Sequence, residues 1–181
     1  MLISKSHLGR VAEEYVRTRS AMALNEAVEQ VKRASLTGEV TVFLSHKHDE
    51  AQELRNTIAL LHSLGVFVYV DWMDEAISSV TSGKTAERIK QKIIANKKFI
   101  LLATQGAISS KWCNWELGFG DAHKYASDIA LLPVTENDGT WKGNEYLQIY
   151  PAIEIEDAYP VRRYYVKEDA TKTPLADWLR R

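Results

Sequence analysis

The chain has a single cysteine, four prolines, and no excess of charge of either sign, with 23 lysines and arginines against 24 aspartates and glutamates. One cysteine excludes an intrachain disulfide and a multi-cysteine zinc site, and it points to a reducing compartment. A net charge of -1 gives no compositional support for binding along a phosphate backbone, so nucleic acid is not an expected partner. No run approaches the ~20 apolar residues of a membrane span. The opening Met1-Leu2-Ile3-Ser4-Lys5-Ser6-His7 lacks the apolar core of a signal peptide, and a soluble, cytoplasmic protein with no membrane partner is expected. His46 and His48 stand two apart with no H-E-x-x-H helix motif, so no metal site is expected. There is no internal repeat and no low-complexity tract.

What is present is a regular alternation of apolar segments. With 181 residues, 45% of them apolar, the chain suits one globular domain with a full core and an appendage. Residues 8 to about 35 carry Val11, Tyr15, Leu24, Ala27, Val28 and Val31 on a narrow helical stripe. Val40–Leu44 reads as a first strand covered on both faces, followed by a helix through Leu54, Ile58 and Leu61 to Gly65, with Asp49 and Gln52 as its capping box. Val66–Val70 is a second strand, leading into a long polar and aromatic connection, 71–82, of a length usually reserved for function. A helix from about Lys84 to Asn96, a third strand Lys98–Ala103, a helix from Lys111 to about Ala126 and a fourth strand Asp128–Val134 follow. A turn around 136–140, a helical turn near Tyr146 to Tyr150, a strand within 159–166 and a helix from about Pro174 complete the chain. This order predicts a parallel sheet with helices on both faces and a ligand crevice beyond the carboxyl ends of the strands.

Ser109-Ser110-Lys111-Trp112-Cys113-Asn114-Trp115-Glu116-Leu117-Gly118-Phe119-Gly120 puts a lone carboxylate among aromatics. Trp112, Trp115, Glu116 and Phe119 fall at spacings that share a helix face. With Ser110 as N-cap, Glu116 lies too deep for a capping box, and no basic residue stands three or four positions away to pair with it. It therefore invites a functional explanation, the plain structural alternative being a solvated glutamate beside core aromatics.

Other motifs are weaker. Gly83-Lys84-Thr85 has the tail of a phosphate-binding loop without its leading glycine or its strand, and Gly118-Phe119-Gly120 lies inside a helix, where small residues serve close packing better than dinucleotide binding. Cys113 near a helix N-terminus has the place of a nucleophile, but with no base partner identifiable it reads as a packed thiol.

Val42-Phe43-Leu44-Ser45-His46 with Asp49, the loop after Asp71, the strand Phe99–Leu102 and Ser110-Lys111-Trp112-Cys113 with Glu116-Leu117 resemble, in order and spacing, the TIR (Toll/interleukin-1 receptor) domain family. The resemblance covers roughly residues 38–181, and the S-x-W-C-x-x-E-L segment is its most specific part. It implies a flavodoxin-like, three-layer α/β/α domain with a central parallel sheet of about five strands over 38–181, and it leaves 1–37 as an N-terminal helical extension, an oligomerisation element or a cap on the sheet. His46 stands where many members have tyrosine.

Members of the family divide between signalling adaptors and enzymes that cleave the nicotinamide glycosidic bond of NAD. The resemblance places Glu116 as the catalytic carboxylate, Trp112 as a ligand-facing aromatic with Trp115 in the core, and Phe43, Ser45, Asp71 and Trp72 as lining of the nucleotide pocket. It implies an NAD+ glycohydrolase or ADP-ribosyl cyclase that takes NAD+ as substrate and needs no cofactor. Head-to-tail TIR–TIR self-association is implied as well. The brevity of the chain resembles stand-alone microbial TIR proteins of immune systems such as Thoeris, in which the product activates a separate effector. A non-enzymatic scaffold acting through TIR–TIR self-association or by binding host TIR adaptors is the alternative, and a deoxyribosyltransferase-like enzyme, which fits the tryptophan-cysteine segment less well, is a third.

Overall fold

The computed structural model describes residues 1–18, 41–70, 82–136, 139–158 and 161–181. In chain order the elements are β1 (Ile3–Ser4), α1 (Lys5–Thr18), β2 (Thr41–Ser45), α2 (Ala51–Ser63), β3 (Phe67–Tyr69), α3 (Gly83–Ala95), β4 (Lys98–Ala103), α4 (Gln105–Ile108) and α5 (Lys111–His123). They continue with β5 (Ile129–Thr135), β6 (Ala152–Ala158), β7 (Val161–Glu168), β8 (Thr171–Pro174) and α6 (Leu175–Arg180), with short 3-10 turns at Ala126–Asp128 and Glu145–Ile149. The sheet runs β3-β2-β4-β5-β6-β7-β8, parallel from β3 to β6 and antiparallel from β6 to β8. The first five strands have the flavodoxin-like order, whose switch point falls between β2 and β4.

The apolar runs of the central strands explain their place. In β4, Phe99, Leu101 and Ala103 belong to one core and Ile100 and Leu102 to the other, as a period of two requires of a strand covered on both faces. The first core is closed by Leu8 of α1, by Leu54, Ile58 and Leu61 of α2, and by Trp178 and Leu179 of α6. The second is closed by Ile89 and Ile93 of α3, Ala107 and Ile108 of α4, and Cys113 and Leu117 of α5. Helices therefore cover both faces of the parallel part. Gly65, just past α2, has φ +76°, a conformation that suits glycine at a helix end.

Three features differ from the sequence expectation. The N-terminal residues join the sheet: Ile3 and Ser4 pair with Val134 and Thr135, and α1 lies against α2. The remainder of the expected 8–35 helix lies outside the described residues, as does the 71–81 part of the long connection. The strand expected within 159–166 is present as β7, but β6 and β8 flank it to form a three-stranded meander; β6 carries the alternation Ala152-Ile153-Glu154-Ile155-Glu156, with Ile153 and Ile155 buried. The third difference is at α2, whose N-cap is Glu50 with no side-chain capping bond, while Asp49 pairs with Lys47 at 2.9 Å on the surface.

At the amino ends of the strands, Lys98 is 2% exposed, contacts the carboxylate of Asp128 and lies 4.6 Å from the centre of the Trp178 ring. The indole nitrogen of Trp178 donates to the Ser127 carbonyl at 2.8 Å, which fixes that ring. Removing the partly exposed partner of a buried lysine leaves that buried charge uncompensated. Asp128→Ala is expected to lower the unfolding free energy by about 3 kcal/mol in urea titrations, whereas a change below about 1 kcal/mol would make the contact equivalent to a surface ion pair.

Candidate active site

The site begins with strand parity. Val42 and Leu44 of β2 point into the first core, so Phe43 and Ser45 point to the opposite face, on which α5 lies. Helix α5 is started by Ser110, whose hydroxyl accepts from the Cys113 amide at 3.4 Å, as the sequence suggests. Its inward stripe is Cys113, Glu116, Leu117 and Gly120, a spacing of three, four and seven residues. Gly120 allows the helix to approach the strands, since a Cβ there would lie 3.2 Å from the Phe99 ring.

These two placements converge. Ser45 at the carboxyl end of β2 donates its hydroxyl to Oε2 of Glu116 at 2.5 Å, with Ser45 1% and Glu116 5% exposed. A buried carboxylate is costly unless its oxygens receive hydrogen bonds, and the bond to Ser45 helps meet that cost. The pair stands at the switch point of the sheet, where open α/β folds bind ligands.

The neighbours differ from one another in kind. Trp112 is half-buried and meets Trp115 edge to face at 5.1 Å; Trp115 stacks on Phe119 at 6.1 Å, and Phe119 on His123 at 4.1 Å. Trp115 is half-buried and packs against the second core, and with Trp112, Lys90, Glu87 and Lys111 it also lines a groove of about 440 Å³ between α3 and α5. Glu116 is inward of this aromatic row, one helix face away from solvent. Phe43 is 1% exposed and stacked between Tyr69 at 5.8 Å and Phe99 at 5.5 Å, so it underlies the crevice as packing and offers no open surface to a ligand. Asp71 and Trp72 lie outside the described residues.

Several groups escaped the sequence reading. Trp141 reaches back from the segment after β5 and donates its indole N–H to the Ala103 carbonyl at 2.6 Å, at the carboxyl end of β4. His46, His48 and Arg55 line a recess of about 260 Å³ at the start of α2. Thr104, the N-cap of α4, donates its hydroxyl to Glu50, a second carboxylate at this edge. Only the recess had a sequence signal, in the run of basic and imidazole side chains after the first strand; Trp141 and Glu50 depend on contacts distant in sequence. Among the described residues no group of histidines, cysteines and carboxylates could hold a metal ion.

Cys113 is 1% exposed, and burial pushes its thiol up to about 11, with the nearby Glu116 and Glu50 carboxylates acting in the same direction and hydrogen bonds to Ser110 and Ser45 opposing them. At pH 8, three units below that value, roughly one thiol in a thousand is ionised, which disfavours nucleophilic attack. The folded chain is expected to resist alkylation by iodoacetamide at pH 8 and to react quickly once unfolded in urea. Rapid labelling of the folded chain would contradict the buried, protonated thiol.

No protein-family model matches the chain. Among curated proteins it is similar to the probable 3' cyclic ADP-D-ribose synthase ThsB' of Bacillus cereus (strain MSX-D12), with 31% identity over 116 residues, covering 62% of this chain and 59% of that protein. The chain therefore spans less than two thirds of the length of this relative. The sheet order, the sequence of motifs along the strands and α5, and this relative together support a Thoeris-like TIR family for the chain.

Proposed function

We propose that the chain cleaves the bond between nicotinamide and ribose in NAD+, releasing nicotinamide and a cyclic ADP-ribose, with linear ADP-ribose as the hydrolytic side product. The observation that carries this reading is the buried Glu116 carboxylate, oriented by Ser45 at the carboxyl edge of the sheet. The name of the B. cereus relative, a cyclic ADP-ribose synthase, agrees with it.

The chemistry asks little beyond these groups. Nicotinamide leaves as a neutral molecule, taking the electron pair of the C–N bond, and positive charge develops on the ribose carbon and ring oxygen. A carboxylate fixed beside that carbon stabilises the charge, and being fixed in advance it need not reorganise as the bond breaks. Ser45 orients Glu116. Trp112, one turn before Glu116, offers a ring face for stacking on nicotinamide or adenine, worth roughly 0.5–1.5 kcal/mol beyond burial. The recess at His46, His48 and Arg55 offers donors for the diphosphate. Self-association with further TIR copies, and a separate effector that reads the cyclic product, complete the proposed role in antiphage signalling.

The test is incubation of the purified chain with NAD+, with nicotinamide and all adenine-containing products separated by chromatography and identified by mass. Glu116→Gln is expected to lower nicotinamide release by about 10²–10³-fold or more. Ser45→Ala is expected to lower it by about 10- to 100-fold, the equivalent of a charged hydrogen bond of roughly 1.5–3 kcal/mol. Wild-type protein that releases no nicotinamide at high concentration, or a Glu116→Gln variant as active as wild type, would favour the scaffold reading.

A further inference from the structure

Glu50 occupies the N-cap of α2, where a side chain ordinarily accepts from the amides of its own first turn. It makes no such bond. Its carboxylate reaches across to the end of the neighbouring parallel strand, where Oε2 accepts from the hydroxyl of Thr104, a residue 1% exposed. The other oxygen, Oε1, rests over Gly106, at a place a Cβ would fill; the same Cβ would come within 2.9 Å of the Lys47 side chain. A capping role does not account for this arrangement, because aspartate or serine at position 50 would cap α2 without reaching Thr104.

The two strand ends at the switch point thus repeat one device. Ser45, ending β2, donates to Glu116, and Thr104, following β4, donates to Glu50. β2 and β4 are adjacent parallel strands, with Ser45 in register with Leu101, so the two hydroxyl–carboxylate pairs stand at neighbouring strand ends on one rim of the sheet. They differ in environment: Glu116 is 5% exposed, while Glu50 is half-buried and open to solvent on one side.

On the NAD-cleaving reading above, the crevice needs two things, a fixed charge beside the ribose carbon and an acceptor for a proton. We propose that Glu50 is the second catalytic carboxylate, accepting the proton of the substrate hydroxyl that closes the ring. The C–N bond to nicotinamide breaks with its electron pair going to nicotinamide, the oxygen of a hydroxyl on the adenosine half bonds to the ribose carbon, and that hydroxyl's proton passes to Glu50 and then to water. When water attacks instead, the product is linear ADP-ribose, so Glu50 sets the ratio of cyclic to linear product. Partial burial, reinforced by Glu53, pushes the Glu50 carboxyl above its ordinary value, against the hydrogen bond from Thr104 and the charges of Lys47 and Lys5. A carboxylate tuned upward in this way is a stronger base.

The experiment compares wild type, Glu50→Gln, Glu50→Asp and Gly106→Ala as full chains with NAD+, with thermal melting to confirm folding and with nicotinamide, cyclic and linear products quantified together. In Glu50→Gln total turnover falls, and the cyclic-to-linear ratio is expected to drop by about 100-fold, the scale of a lost general base. Gly106→Ala displaces the carboxylate without removing it, and a smaller shift in the same direction is expected; it and Glu50→Asp carry the test if Glu50→Gln does not fold. An unchanged product ratio in the folded variants overturns the proposal. Wild type that releases nicotinamide but forms linear ADP-ribose alone also overturns it while leaving NAD cleavage intact, and wild type that releases no nicotinamide overturns both.

Discussion

Glu116 has to remain a useful carboxylate while 5% exposed, and the hydroxyl of Ser45, 2.5 Å from Oε2, is part of what makes that possible. Much of the local architecture follows from that bond. Ser45 must face α5, which requires the parity of β2 to place Val42 and Leu44 on the opposite side. Helix α5 must lie close enough to the strands to bring Glu116 to Ser45, which requires Gly120 over Phe99 and the small thiol of Cys113 in the same inward stripe. The start of α5 must be fixed in register, and the Ser110 cap does so.

The remaining structure holds this edge open and anchors the opposite one. Parallel strands direct all of their following loops to the same side, so Ser45, Thr104 and the helices after them share one rim although they are far apart in sequence. At the opposite rim, Lys98, Asp128 and Trp178 join the beginnings of two central strands to the C-terminal helix. The groove between α3 and α5, walled by Trp112 and Trp115, lies on the outer side of the helix whose inward stripe carries Glu116.

Much of the parallel sheet was legible because its strands are short apolar runs separated by helical periods; the described strand Lys98–Ala103 coincides with the expected one. In the C-terminal meander only β7 was, since β8 is short and exposed and the acidic alternation of β6 resembles a surface loop. Helical spacing singled out Glu116, but three aromatic neighbours suggested an aromatic face for it, whereas the inward stripe runs through Cys113, Leu117 and Gly120. Phe43 illustrates a different limit: its position in a motif says nothing of depth, and the stack with Tyr69 and Phe99 depends on three strands. Glu50 had no local signal at all, because its partner Thr104 lies 54 residues away.

The central claim is that one crevice, at the carboxyl ends of β2 and β4, takes the dinucleotide. Hydrogen–deuterium exchange with a non-cleavable carbocyclic NAD analogue tests it most directly. Slowed exchange concentrated in 43–50 and 104–116 is the predicted result. Slowed exchange confined to the opposite rim, around Lys98 and Trp178, or none at saturating analogue, would contradict it.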